Sequence, residues 1–211
     1  MACPPSQAAD KGPGKRKHPP NLIKPQTREA IKKGLNFLKA KQNSNGAFGT
    51  GSFGQNVAVC GLAGMAFMAN GSTPGRGPYG REVKRCVSFI LNNTQDNGFI
   101  KSPGMTSSHG PMYGHGFATL FLAEAYGMCR DRQVREKLVS AVKLIVTTQN
   151  DKGGWRYEPK KQPGDLSVTI CQVMALRAAR NAGIFVPNQT IDNASITLNA
   201  AKTATAALNT C

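Results

Sequence analysis

The side chains able to do chemistry in this sequence are few and scattered. Asp165 stands in GDLSVT, where it can serve as a general acid or as the N-cap of the helix that follows. His109 and His115 flank the glycine-rich stretch GPMYG, and either can act as a base, a ligand or a loop hydrogen-bonding group. Tyr113, Phe117, Phe121 and Tyr126 recur at helical spacing, a stripe that builds either a core or the wall of an apolar ligand cavity. The cysteines Cys3, Cys60, Cys86, Cys129, Cys171 and Cys211 contain no pair within four positions, so no C-x-x-C zinc or redox motif exists. Four of them fall among apolar helical neighbours, where a reduced thiol behaves as a small hydrophobe. GTGSFG at 49–54 is similar to phosphate-cradling loops, but no strand precedes it and no Lys-Ser/Thr follows. It reads as a hairpin connection.

The elements that must position these residues repeat. AIKKGLNFLKAKQNSNGAFG (30–49), VKRCVSFILNNTQDNGFI (83–100) and LVSAVKLIVTTQNDKGGWRY (138–157) share an apolar pair, a glutamine, a polar turn, a glycine and an aromatic. The glutamines Gln42, Gln95 and Gln149 lie 53 and 54 residues apart. Gly46 with Phe48, Gly98 with Phe99 and Gly154 with Trp155 complete the motif. Each unit continues into a second helix crowded with small residues, predicted at 56–71, 116–128 and 166–183. The first helix of each unit carries lysines and arginines on one side. An amphipathic outer helix followed by an apolar inner one, three times over, predicts an all-α array of hairpins whose inner helices need their neighbours to be buried.

Over roughly residues 27–193 this pattern resembles the prenyltransferase and squalene-oxidase repeat of squalene–hopene cyclases and protein prenyltransferase β-subunits. QNDKGGWRYEP in particular is similar to the cyclases' Q-W motif. The resemblance implies an α/α toroid, here incomplete because three hairpins and the start of a fourth are present where the family closes with about six. It implies that Gln149 bonds free backbone groups at a neighbouring helix end and that Trp155 stacks on it. Gln42/Phe48 and Gln95/Phe99 would be weaker copies, since a phenyl ring lacks the indole donor. It further implies an isoprenoid or other apolar ligand held against the inner helices, with Asp165 near the cavity mouth and Tyr113, Phe117 and Phe121 as its lining. The family's catalytic constellations are missing. No D-x-D-D acid, no D-D-x-x-D and no D-x-C zinc pair occurs, and Asp165 and Cys171 are six residues apart. No metal or cofactor is expected, and Asp165 and His115 are the remaining catalytic candidates. A glycan-processing toroid would need paired carboxylates facing one cavity, which 11 acids spread over turns and outer helices do not supply. A non-catalytic helical-repeat scaffold is the alternative.

The formal net charge is +16, but from Lys11 to Lys41 ten basic residues face one acid, so over half of the excess sits at one end. Residues 1–26 read as a disordered, basic, proline-rich arm rather than a specific nucleic-acid surface, with peripheral membrane contact as a further use of the charge. No apolar run is long enough to span a bilayer. The compartment has two readings: cytoplasmic for the sequence as written, or exported with SQAAD at 6–10 as the remnant of a cleavage site. Inner helices left uncovered favour self-association. The segment 194–211, SITLNAAKTATAALNTC after Ala194, carries no repeat signature. Read from the third base of each codon, permitted codons give IDYVKRCQDSDGGFKYM, with its glutamine astride Ala201 and Lys202, about 53 residues beyond Gln149. A single-base loss near Ala194 would produce this; a genuine Ala- and Thr-rich helix is the other reading.

Overall fold

The computed structural model describes residues 23–51, 54–103 and 110–208. Residues 1–22 of the expected arm, His109, Cys3 and Cys211 lie outside them, and the arm's last two residues, Pro25 and Gln26, open a helix. The described residues form seven α-helices: α1 (Pro25–Lys41), α2 (Val57–Ala69), α3 (Gly80–Asn92), α4 (Pro111–Cys129), α5 (Arg132–Thr148), α6 (Leu166–Asn181) and α7 (Asn188–Leu208). No β-strand occurs among the described residues, only isolated bridges. The chain is all-α, as the sequence predicts.

Two units divide the chain, residues 1–34 and 35–211. The described part of the first is the opening of α1, which starts at Pro25 and exposes Ile31 among Lys24, Arg28, Lys32 and Lys33. In the second, α2, α4 and α6 pack side by side, with α3, α5 and α7 laid against them. Their helix starts are chemically specified. Asn56 caps α2 by accepting from Ala58 N and Val59 N, and Asp131 caps α5 by accepting from Val134 N.

The inner helices lie close together because glycine removes side chains from the contact. A Cβ at Gly61 would sit 3.1 Å from Phe117 O, one at Gly64 2.4 Å from Phe121 Cε2, and one at Gly116 2.9 Å from Gln172 Nε2. This packing also explains one difference from the sequence reading. GPMYG is not a loop but the first turn of α4: Pro111 occupies the opening turn, where its missing N–H costs nothing. Gly114 and Gly116 are tolerated in that helix because α2 and α6 press against it.

The repeated turn joins each outer helix to the next. Its fixed point is a glycine with positive φ: Gly46 (+94°), Gly98 (+86°) and Gly153 (+85°). A Cβ there would lie 2.3 Å from Arg85 O, 2.2 Å from Ser140 O and 2.0 Å from Asn193 O respectively, all backbone of the following outer helix. Around it a β-bridge closes the turn, Gln42 with Phe48 and Thr94 with Ile100. Gln42 Nε2 donates to Gly46 O and Glu82 O, both at 3.1 Å. Gln149 Nε2 donates likewise to Gly153 O at 3.0 Å and Thr190 O at 2.9 Å, so each glutamine spans its own turn and the next outer helix.

This geometry moves the second copy by one residue. Thr94, not Gln95, occupies the place of Gln42 and Gln149; Gln95 is exposed. Ile100 rather than Phe99 matches Phe48 and Trp155, and Gly153 rather than Gly154 is the counterpart of Gly46 and Gly98. Thr94 is too short to reach across and returns its hydroxyl to Ile90 O at 2.8 Å. Lys137 crosses from the other side instead, its Nζ donating to Thr94 O at 3.2 Å. Trp155 is buried with its indole N–H donating to Ile145 O at 2.7 Å, a bond to the helix it follows.

Candidate functional site

The described groups with the densest polar chemistry meet where α4 and α6 begin. Trp155 anchors the approach: Asp165 N donates to Trp155 O at 2.7 Å, and Trp155 N donates to Thr169 Oγ1 at 3.1 Å. Two residues on, Tyr157 O accepts from Met112 N at 3.0 Å in the first turn of α4. Gly110, at φ +71°, makes room for the phenol ring, since a Cβ there would come within 2.7 Å of it. Tyr113 and Tyr157 rings lie 6.0 Å apart, and the Arg156 guanidinium sits 5.3 Å from the Tyr157 centroid.

The hydroxyls converge on Asp165. Its Oδ1 accepts from Ser167 N at 2.9 Å, Val168 N at 3.1 Å and the Ser167 hydroxyl at 2.5 Å. Oδ2 accepts the Tyr157 hydroxyl at 3.1 Å. With Ser167 donating to the carboxylate, the Tyr113 hydroxyl donates to Ser167 Oγ at 2.5 Å. The Ser167 hydroxyl first, and then the Val168 amide, hold the Asp165 carboxyl below its ordinary range. The same carboxylate raises the Tyr157 phenol, because it needs that proton as a donor. Asp165 is therefore an ionised helix cap near neutral pH and a poor proton donor. The arrangement can accept hydrogen bonds and orient two phenols; it does not hold an acid ready to protonate an alkene.

His115 does not join it. The ring is fully buried inside α4, with Nδ1 accepting from Ile100 N at 3.1 Å and Nε2 placed 3.3 Å from Ala141 O, which makes Nε2 the protonated nitrogen. Burial lowers its pKa to about 4. It gives Ile100 N the acceptor that Thr169 gives Trp155 N, so its role is to fix the second turn. Phe121 is likewise fully buried against Gly64 and belongs to the core. Tyr113 and Phe117 are half-buried on α4.

Ser167 and Tyr157 escaped the sequence reading, although GDLSVT and GGWRYEP contain them. Their signal is conditional: neither matters until the turn at Trp155 lays residues 155–157 against both helix starts. The four described thiols, Cys60, Cys86, Cys129 and Cys171, are free, and the hydrogen bond to Cys86 together with burial pushes the Cys60 thiol up. Among the described residues no three of His, Cys, Asp and Glu gather as metal ligands. No described helix is long and apolar enough to cross a membrane. No protein-family model matches the chain, and no curated protein is significantly similar to it.

Proposed function

We propose that this chain is an α-hairpin repeat protein of the squalene-cyclase and prenyltransferase type, arranged as part of an α/α toroid, that binds an isoprenoid-class ligand without turning it over. The observation that carries the reading is the turn built from glutamine or its substitute, a positive-φ glycine and a buried closing residue, made three times between successive outer helices. The ligand would lie along apolar residues that the inner helices leave at least partly open: Leu62 on α2, Phe117 on α4, and Ile170 and Met174 on α6. Tyr113 and Tyr157 would receive its polar end. Asp165 spends its carboxylate on capping and on neighbouring hydroxyls, which favours retention over catalysis. The same fact also suits the second reading, a repeat scaffold with no small ligand.

Equilibrium dialysis with farnesol, followed by incubation with squalene and with farnesyl diphosphate, separates these. Saturable farnesol binding that falls at least fivefold in Phe117→Ser and in Ile170→Ser, with no new product from either substrate, is the expected result. Absence of binding leaves the scaffold; product formation overturns the non-catalytic reading.

A further inference from the structure

We propose that a groove of the outer layer, away from the inner helices, binds a single-chain anionic amphiphile of the fatty-acid class, with Arg135 taking the carboxylate. The groove has a volume of about 340 Å³ and runs between α5 and the segment joining α6 to α7. Val139, Val142 and Val146, at i, i+3 and i+7, form its floor along α5, and Ile184 and Phe185 form its wall.

Phe185 is held out into water by its neighbours. Ile184 and Val186 are 5% and 4% exposed, whereas Phe185 between them is 83% exposed. Ile184 N donates to Ala179 O at 2.9 Å, which ties the segment to the end of α6 with Ile184 and Val186 inward and Phe185 outward. Val139 is also open, at 39%. An exposed phenyl ring and an exposed valine lining the same groove are costly unless something apolar covers them.

Charge selects the occupant. Arg135 lines the groove at the start of its α5 floor and Lys143 lines it further along, about 12 Å away on the helix axis. No carboxylate lines it, and Glu136, the acid nearest in sequence, is bonded to Arg132 at 2.8 Å. A guanidinium matches a carboxylate in a paired, planar contact that an ammonium cannot make. An alkyl chain leaving that contact would follow the valines under Phe185. A neutral lipid would leave the cations unused, and a cationic one would meet repulsion.

Calorimetric titration with monomeric decanoate, below its micellar concentration, tests the site against decanol and decyltrimethylammonium. One decanoate should bind, at least tenfold tighter than either comparator. Each methylene removed should weaken it about two- to fourfold. Arg135→Gln and Phe185→Ser, both surface changes whose folding is checked by circular dichroism, should each weaken binding tenfold or more. Phe117→Ser should leave it unchanged, which separates this groove from the inner-helix ligand. Equal affinity for the cationic amphiphile, unaltered binding by Phe185→Ser, or capture by anionic vesicles without binding of monomer would overturn the proposal.

Discussion

A buried imidazole and a buried indole carry two of the turns, and each makes a measurable claim. His115 accepts from Ile100 N and stays neutral in the folded chain, with a pKa of about 4 against 6.5 when unfolded. Its folded pKa is depressed, so its contribution to stability is complete above pH 6.5 and is lost as pH falls towards 4. The slope is about 1.4 kcal/mol per pH unit for one such group, so urea unfolding should show a loss of about 2 kcal/mol between pH 7 and pH 5. His115→Asn keeps an acceptor and removes the titration, and its stability should be nearly flat over that interval; retention of the wild-type slope would assign the effect elsewhere. Trp155→Phe preserves an aromatic ring and deletes the donor to Ile145 O. A cost of about 1–2 kcal/mol in the same assay is expected, and a neutral result would mean that ring packing alone holds the turn.

Between elements the glycine outweighs the glutamine. Gly71 and Gly153 have nearly the same backbone, φ +87° and +85°, but a Cβ at Gly71 meets nothing within 4 Å whereas one at Gly153 would sit 2.0 Å from Asn193 O. Gly71→Ala should therefore cost only the left-handed strain, about 1 kcal/mol. Gly153→Ala adds a backbone collision with α7; it should cost more than about 3 kcal/mol and strip hydrogen-exchange protection from α7 before α2. Equal costs would show that α7 is not seated through this turn. The same hierarchy explains what the sequence could tell. Helix type, the small-residue inner helices and the turn itself were legible, because small apolar faces and Gln–Gly–aromatic strings are local signals. The register in the second copy was not, because Gln95 sits one position past Thr94 and a lysine 43 residues away on α5 restores the lost crossing. Two adjacent glycines, Gly153 and Gly154, offer no local sign of which takes positive φ. Asp165 was readable as a cap from GDLSVT, while its phenol partners depended on how the turn folds back.

For the molecule as a whole, α7 tests whether the repeat was meant to go on. The contacts of Gly46, Gly98 and Gly153 align Arg85, Ser140 and Asn193, and two residues further Val87, Val142 and Ser195. The two valines are buried; Ser195 is exposed, and Ile196 beside it is 67% exposed where Ser88 and Lys143 stand in α3 and α5. The apolar face thus slips out of register at the point where the repeat signature disappears. Helix α7 also runs on to Leu208, whereas α1, α3 and α5 end at Lys41, Asn92 and Thr148, just ahead of their turns. Read from the third base of each codon, with permitted codons, the same stretch would mend both faults. It starts with isoleucine in the place of Val87 and Val142. It then sets glutamine, glycine four residues later and phenylalanine six residues later, the spacing of Gln42, Gly46 and Phe48 and of Gln149, Gly153 and Trp155. Each of these residues needs a permitted third base, but the spacing that they have to match is set by the turn geometry. Sequencing the coding DNA from codon 194 should give those codons, and a chain expressed with one base restored should unfold at higher temperature than this one, because α7 would regain a buried face. Stop codons at once in the shifted frame, or an unchanged midpoint after restoration, would leave α7 as a genuine alanine- and threonine-rich helix.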